Sequence, residues 1–399
     1  MKILILTNKL PYPPKDGGSI ASLNMLTGLR DSGNQMTCLS INTSKHSFPI
    51  HDIPKNLAGS IRFFGVDCDS SIRPIRLILN LIFSREPYIA QRFNFSKYRT
   101  KLSTLLQQES FDLIQLEGPY TGYYFNEIRK YSKAPVALRA HNVEHLIWQK
   151  KAFNERSPLK HWYLQNMASR LKRFELKILH QSDYLIPISP TDEFYFRDQG
   201  FTGPTLTVPT GFSIDEYPQA PLPEESTIFF IGALDWLPNQ EGLLWFLDKV
   251  FDQLINTVPQ LTFHVAGRNA PDSFIEKLQH PGIVYHGEVE DARKFMQSYR
   301  VMVVPLLTGS GIRIKILEGM ALGRPVVTTQ VGIEGIPAEN NQHVITTDDP
   351  QQFASQIAKL VNNQEDASRL VAASRELIIR NFDTFELSNR LSQFYKAQV

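Results

Sequence analysis

The stretch VMVVPLLTGSGIRIKILEGMALGRPVVTT, residues 301–329, decides the fold. VMVVPLL is a continuous apolar run, the pattern of a strand covered on both faces. TGSG is a tight loop. IRIKILEGMAL has helical spacing, Gly323 ends it, and Pro325 forces the next strand, RPVVTT. A strand, helix and strand joined by short loops make a parallel unit.

Outward from that stretch the pattern recurs. KILILT, MTCLSI, IRFFGV, FDLIQL, PVALRA, YLIPIS and TLTVP are the expected strands of the first half. TIFFIGAL, LTFHVAG, IVYHGEV, VMVVPLL, RPVVTT and HVITT are those of the second. Nearly continuous apolar strands alternating with helical patterns predict two doubly wound α/β domains of the Rossmann-like kind. A chain of 399 residues is also too long for one ordinary core. The expected domains are 1–208 and 209–383, with the terminal helix 384–399 crossing back to join the first. YPQAPLPEES, residues 217–226, reads as a stiff, exposed linker. Ligands of such sheets sit at the carboxyl ends of the strands, so the expected site is a cleft between the domains.

Composition is that of a soluble globular protein with a formal net charge of +2. The charge is uneven: residues 1–208 hold about 27 Lys and Arg against about 17 Asp and Glu. Such a basic half suits an acidic substrate or an anionic membrane surface. The two cysteines, Cys38 and Cys68, form neither a disulfide framework nor a metal-ligand spacing, which fits a reducing, cytoplasmic compartment. The N-terminal apolar run is a first strand rather than a signal peptide. No apolar run approaches the ~20 residues of a membrane span. The nearest, LILNLIF at 77–83, reads as a buried helix, with a place on a membrane surface as the alternative.

The chemistry concentrates after the strands. A helix N-terminus offers free N–H groups and partial positive charge to an anion. Gly309 and Gly311 let a ligand approach the backbone. Arg313 and Lys315 stand at the helix start, where cations oppose the helix dipole, so a bound anion would restore the balance. Glu318, one turn deeper, can accept two hydrogen bonds from the vicinal hydroxyls of a ribose. Phosphate first and ribose next is the layout of a nucleotide, although an i,i+3 Lys315–Glu318 salt bridge is the bland alternative. Gly17 and Gly18 precede the helical SIASLNMLTGL and can face a diphosphate in the same way. His141 follows PVALRA at another carboxyl end, and Glu117 ends FDLIQL similarly.

GSGIRIKILEGMALGRPVVTTQVGIEGI resembles the donor-binding segment of family 4 glycosyltransferases, enzymes of the two-domain GT-B fold. NKLPYPPKDGGSIASLNMLTGLRDSG resembles that family's N-terminal glycine loop, RAHNVEH its first-domain His motif, VPTGFSIDEY its interdomain turn, and FIGALDWLPNQEGLLWFL the opening of its second domain. The resemblance implies transfer of a sugar from a nucleotide diphosphate sugar, with retention and without a metal or other cofactor. It makes Glu318 the second of the family's paired glutamates, which holds the ribose, and puts Ser310 at the first. Ala233 and Glu241 stand where the family often has a phosphate-binding Arg and Lys, so Arg313, Lys315 and Arg268 are the expected substitutes. His141 is expected to contact the donor sugar and, with Arg313 and Lys315, to form the catalytic set. Gly17, Gly18, Arg268, Val289, Ser310, Gly311, Ile312 and Glu318 form the donor-binding set.

The acceptor implied is a glycan or a lipid-linked molecule, in cell-envelope or exopolysaccharide synthesis. Residues 84–101 and 150–177 are basic and aromatic, which suits peripheral contact with an anionic membrane at its inner face or a lipid-linked pyrophosphate acceptor, with ordinary solvated helix faces as the plain alternative. No nucleic-acid motif is present. Three rivals stand beside this reading. One is a single-domain, metal-dependent transferase using Asp67 and Asp69. Another is a same-fold epimerase or phosphorylase. The third is a sugar-nucleotide-binding protein without turnover.

Overall fold

The computed structural model describes residues 1–14, 17–43, 47–155, 157–309 and 312–399. The chain forms two compact units, Met1–Phe212 with Thr384–Val399, and Ser213–Asp383.

The first unit is built on six strands: β1 (Lys2–Thr7), β2 (Gln35–Thr43), β3 (Ile61–Cys68), β4 (Leu113–Glu117), β5 (Val136–Ala140) and β6 (Tyr184–Pro187). Their order is β3-β2-β1-β4-β5-β6, and every pairing is parallel. The continuous apolar run of β1 has a direct cause. Leu4 and Leu6 pack with Leu39, Leu116 and Leu138 on one face, while Ile3 and Ile5 pack with Met25, Leu26 and Leu391 on the other. The second face is closed by the helices Gly17–Asp31 and Thr384–Gln398. In the latter, Leu387, Leu391 and Tyr395 repeat at helical spacing and enter the same cluster.

The second unit repeats the plan with β7 (Thr227–Ile231), β8 (Thr262–Ala266), β9 (Ile283–Gly287), β10 (Val301–Val304), β11 (Val326–Thr328) and β12 (Ile345–Thr346). The order is β12-β11-β10-β7-β8-β9, again all parallel. Each sheet therefore reverses direction beside its first strand, between β1 and β4 and between β7 and β10. The crevice at the carboxyl ends of such strand pairs is where ligands bind in doubly wound sheets.

Four sequence expectations need correction. TLTVP is not a regular strand: Thr205 makes an isolated bridge to Leu185, and Leu206 and Val208 N–H donate to the carbonyls of Leu185 and Pro187 beside β6. Residues 217–226 belong to the second unit rather than to a linker. The Arg324 guanidinium donates to the carbonyls of Ala220 and Pro221, and Arg300 donates to that of Pro223 at 2.7 Å. Gly17 and Gly18 do not precede their helix but form its first turn. The helix containing LILNLIF, Pro74–Phe83, is exposed; Asn80 is its buried residue.

Candidate functional site

In the first unit, Glu117 ends β4 beside the reversal of the sheet and lies in register with Thr7 of β1 and Arg139 of β5. Its side chain is buried, and so is that of Arg139. Glu117 Oε2 accepts from Arg139 Nη1 at 3.0 Å, from Ser22 Oγ at 2.7 Å and from His141 Nε2 at 2.7 Å. Oε1 accepts from Gln115 Nε2 at 2.5 Å, and Gln115 Oε1 in turn accepts from Tyr395 Oη at 2.7 Å. Burial pushes the Glu117 carboxyl up, but Arg139 and the hydrogen bonds from His141 and Ser22 prevail and hold it below the usual carboxylate range. An ionised carboxylate only accepts, so Nε2 of His141 carries the proton. The imidazole is thereby fixed in tautomer and orientation, and remains partly exposed.

The loop carrying His141 is held at its far end as well. Glu175 accepts from the backbone N–H of Glu144 at 2.9 Å and of His145 at 3.1 Å. It thereby caps the helix Glu144–Phe153 from a distant helix, Pro158–Gln181. His145 bridges Glu175 at 2.5 Å and Tyr195 at 2.6 Å. The Glu144 carboxyl, donated to by Tyr120 Oη at 2.8 Å, is pushed up to about 7 by burial and by the nearby Glu175 charge. Nothing in the sequence pairs Glu175 with His145, 30 residues away; the sheet and two helices do.

In the second unit the helix Ile314–Ala321 follows β10, two residues later than its sequence pattern suggests. Its N-cap is Arg313, which is buried and donates to the Val331 carbonyl at 3.5 Å. Lys315 Nζ donates to Asn239 Oδ1 at 3.1 Å and stands 4.1 Å from the centroid of the Phe230 ring. Burial, and then the Arg313 charge, pull the Lys315 pKa down to about 7 against the opposing attraction of Glu318. Gly232, just after β7, makes room for this amine: a Cβ there would lie 2.4 Å from Lys315 Nζ. Glu318 does not pair with Lys315. It accepts from Tyr217 Oη at 2.9 Å, and burial raises its pKa against the pull of that bond, of Arg293 and of Lys315.

The structure thus brings Arg313, Lys315 and Glu318 together at the ends of β7 and β10. Tyr217, Phe230, Gly232 and Asn239 belong to the same place and escaped the sequence reading. Asn239 also donates to the Ala233 carbonyl at 2.7 Å. Gly309 adopts φ +119°, open to glycine alone in practice, and a Cβ there would crowd Arg313 and Trp236. Ile312 packs against Gly335. Ser310 and Gly311 lie outside the described residues. Arg268 is exposed, and its carbonyl accepts from Leu234 N–H at 2.9 Å. Val289 is half-buried after β9. No described contact carries Arg268 or Val289 to the Lys315 amine. Glu241 accepts from Thr308 at 2.8 Å. Asp67 accepts from Asn42, and Asp69 from Arg73 and Ser71, so both carboxylates of the Asp-x-Asp pattern are occupied. No cluster of three or more His, Cys, Asp or Glu suited to a metal ion occurs among the described residues.

Residues 225–363, all within the second unit, match the family described as "Glycosyl transferases group 1". The second unit is thus similar to the domain of group 1 glycosyltransferases. It is 23% identical over 96% of its length to an uncharacterised 44.6 kDa protein in the cps region of Klebsiella pneumoniae, of which 97% is covered. It is 25% identical over 48% of its length to a phosphatidyl-myo-inositol mannosyltransferase of Mycobacterium leprae, of which 53% is covered. The fold of this glycosyltransferase is shared end to end with solved structures. One is Anabaena HepE in complex with UDP, with a TM-score of 0.67 and 13% identity over 100% of both chains. Another is sucrose-phosphate synthase of Thermosynechococcus elongatus, with a TM-score of 0.67 and 18% identity over 100% of this chain and 99% of that one. The two Rossmann-like units are those of the GT-B fold.

Proposed function

We propose that this glycosyltransferase moves a sugar from a nucleotide diphosphate sugar to a glycan or lipid-linked acceptor in envelope or exopolysaccharide synthesis. We further propose that transfer retains anomeric configuration, as in family 4, and needs no metal or other cofactor. The observation that carries the reading is the Arg313–Lys315–Glu318 series along the start of the helix Ile314–Ala321. Two cations and free helix N–H groups suit a diphosphate. Glu318, with Tyr217 already donating to one oxygen, suits the ribose hydroxyls.

The chemistry asked of these groups is electrostatic. As the bond from sugar to phosphate breaks, negative charge grows on the leaving nucleoside diphosphate, and fixed cations stabilise it. The first unit contributes His141, held by Glu117, to meet the positive charge that develops on the sugar. Retention would follow attack on the face the leaving phosphate vacates, with that phosphate taking the acceptor proton.

The cps-region relative and the mannosyltransferase relative support an envelope or polysaccharide acceptor. The UDP in the HepE complex supports a nucleotide-bearing donor. No helix among the described residues is long and apolar enough to cross a membrane. A lipid-linked acceptor would place the enzyme peripherally at the inner, cytoplasmic face.

The test is a thermal-shift panel of nucleoside diphosphates and their sugars on the wild type and Glu318→Ala. A shift by one base series that Glu318→Ala abolishes is the expected result; an equal shift in the variant overturns the ribose assignment. Anomeric NMR on the product checks retention, and an inverted product refutes it. Activity that is lost in chelator would refute metal independence.

A further inference from the structure

The helix Pro74–Phe83 is turned inside out for a surface helix. Ile72, just ahead of it, and Ile75, Ile78, Leu79, Ile82 and Phe83 recur at helical spacing and all face solvent, with Ile75 74%, Ile82 65% and Phe83 80% exposed. The buried residue is polar: Asn80 donates to the Glu86 carbonyl at 3.1 Å and to Gln91 Oε1 at 2.8 Å. The helix is held to its unit by polar contacts. Arg170, from the helix Pro158–Gln181, donates to the carbonyls of Asn80, Leu81 and Ser84 at 3.1, 2.9 and 2.8 Å. An apolar stripe that could have turned inward is therefore presented outward. Contiguous apolar surface of this kind marks an interaction site.

Charge identifies what covers it. Arg73, Arg76 and Arg85 stand on or beside the helix, and no acidic residue occurs from Ser70 to Arg85. Asp69 takes Arg73 at 2.8 Å, while Arg76 and Arg85 make no ion pair among the described residues. A cavity of about 620 Å³ opens beside the stripe, with Arg73, Arg76 and Arg92 and the Asp69 carboxylate paired to Arg73 on its polar side, and Leu79 and Phe83 on its apolar side. Arginines next to exposed isoleucine and phenylalanine match the boundary of an anionic bilayer, where phosphate lies directly above acyl chain. Their alkyl stems can lie along the apolar layer while the guanidinium groups reach the headgroups. A second copy of the same face would set arginine against arginine.

We propose that the helix Pro74–Phe83 lies in the interfacial layer of an anionic bilayer, with the arginine-lined cavity beside it receiving a lipid phosphate. The exposed Phe153, Leu159 and Trp162, with Lys150, Lys151 and Lys160, extend the same chemistry along the helices Glu144–Phe153 and Pro158–Gln181. The proposal names a surface that sugar transfer does not require, and it stands or falls separately from that reading.

The test is flotation of the full chain with vesicles of phosphatidylcholine alone and of phosphatidylcholine with phosphatidylglycerol. The wild type should float with the anionic vesicles alone and be released by salt. I78E/F83E and R76E/R85E, all changes at exposed side chains, should each lower partition about tenfold or more. Their circular dichroism and their thermal shift with nucleotide should stay unchanged, which separates loss of docking from loss of fold or of donor binding. Wild type that stays unbound to anionic vesicles, or I78E/F83E that floats as well as wild type, overturns the proposal. A wild-type dimer that I78E/F83E dissolves, with no flotation, assigns the face to a second copy and overturns it as well.

Discussion

Glu117 Oε2 lies 2.7 Å from His141 Nε2, and the same oxygen takes Arg139 at 3.0 Å. One buried carboxylate thus neutralises a buried guanidinium and orients an imidazole. Glu117→Gln would leave Arg139 charged in the interior without a counter-ion, at a cost of about 3–5 kcal/mol. The sign of the pH dependence follows from a depressed carboxyl. Its contribution is full above the ordinary value of 4.5 and is lost as pH falls below it toward the folded-state value. Urea titrations of both proteins should show the gap at neutral pH and its narrowing in acid. A neutral-pH gap below about 1 kcal/mol would contradict the pairing.

His141 is partly exposed and reaches the core through its hydrogen bond to the buried Glu117. His141→Ala should lower kcat about 10²-fold, the scale for losing one group that stabilises developing charge. Nucleotide affinity should hardly move, while the melting temperature should fall modestly because the buried Glu117 loses one donor. Full turnover with the authentic acceptor would remove His141 from the catalytic set.

Burial and the Arg313 charge pull the Lys315 pKa down to about 7. A diphosphate should restore the charged form, so above pH 7 binding must take up a proton. Calorimetry in buffers of different ionisation enthalpy should reveal that uptake, with affinity falling as pH rises through the range from 7 toward 9. Lys315→Gln should bind more weakly, without the uptake. Binding with no proton coupling at pH 8 would place the diphosphate elsewhere.

Gly232→Ala tests the same amine through its surroundings. The added Cβ would stand 2.4 Å from Lys315 Nζ, the mobile end of a side chain, so the amine should shift rather than the strand. Loss of one charge-assisted contact corresponds to roughly a tenfold weaker nucleotide Kd. Unfolding of this variant would instead mean that the backbone, not the amine, fills the space.

What the sequence disclosed follows from where the information lies. Strands such as KILILT are apolar throughout because both faces are covered, and a run of four to six residues records that locally. The Arg313–Lys315–Glu318 series was equally legible because one short segment carries it. Asn239 and Tyr217 were not, since 76 residues separate Asn239 from Lys315 and 101 separate Tyr217 from Glu318, and only the parallel topology joins them. Residues 74–83 misled for another reason. Periodicity marks an apolar face but not its direction, and here Asn80 turns inward while the isoleucines turn out.

Glu144 offers the last prediction, and its sign is opposite to that of Glu117. Burial and Glu175 raise its pKa from 4.5 to about 7, so between those values the folded protein holds a proton that the unfolded chain has released. Stability contributed by this group must fall as pH rises from 4.5 through 7, by on the order of 3 kcal/mol at most. Glu144→Gln keeps an oxygen for Tyr120 Oη and has nothing to ionise. It should match wild type near pH 4.5 and exceed it at pH 8. Comparing the two proteins cancels the titration of every other group, so urea midpoints at the two pH values suffice. Parallel stability curves would mean that Glu144 stays ionised in the folded loop, with the Tyr120 hydrogen bond outweighing burial and the Glu175 charge.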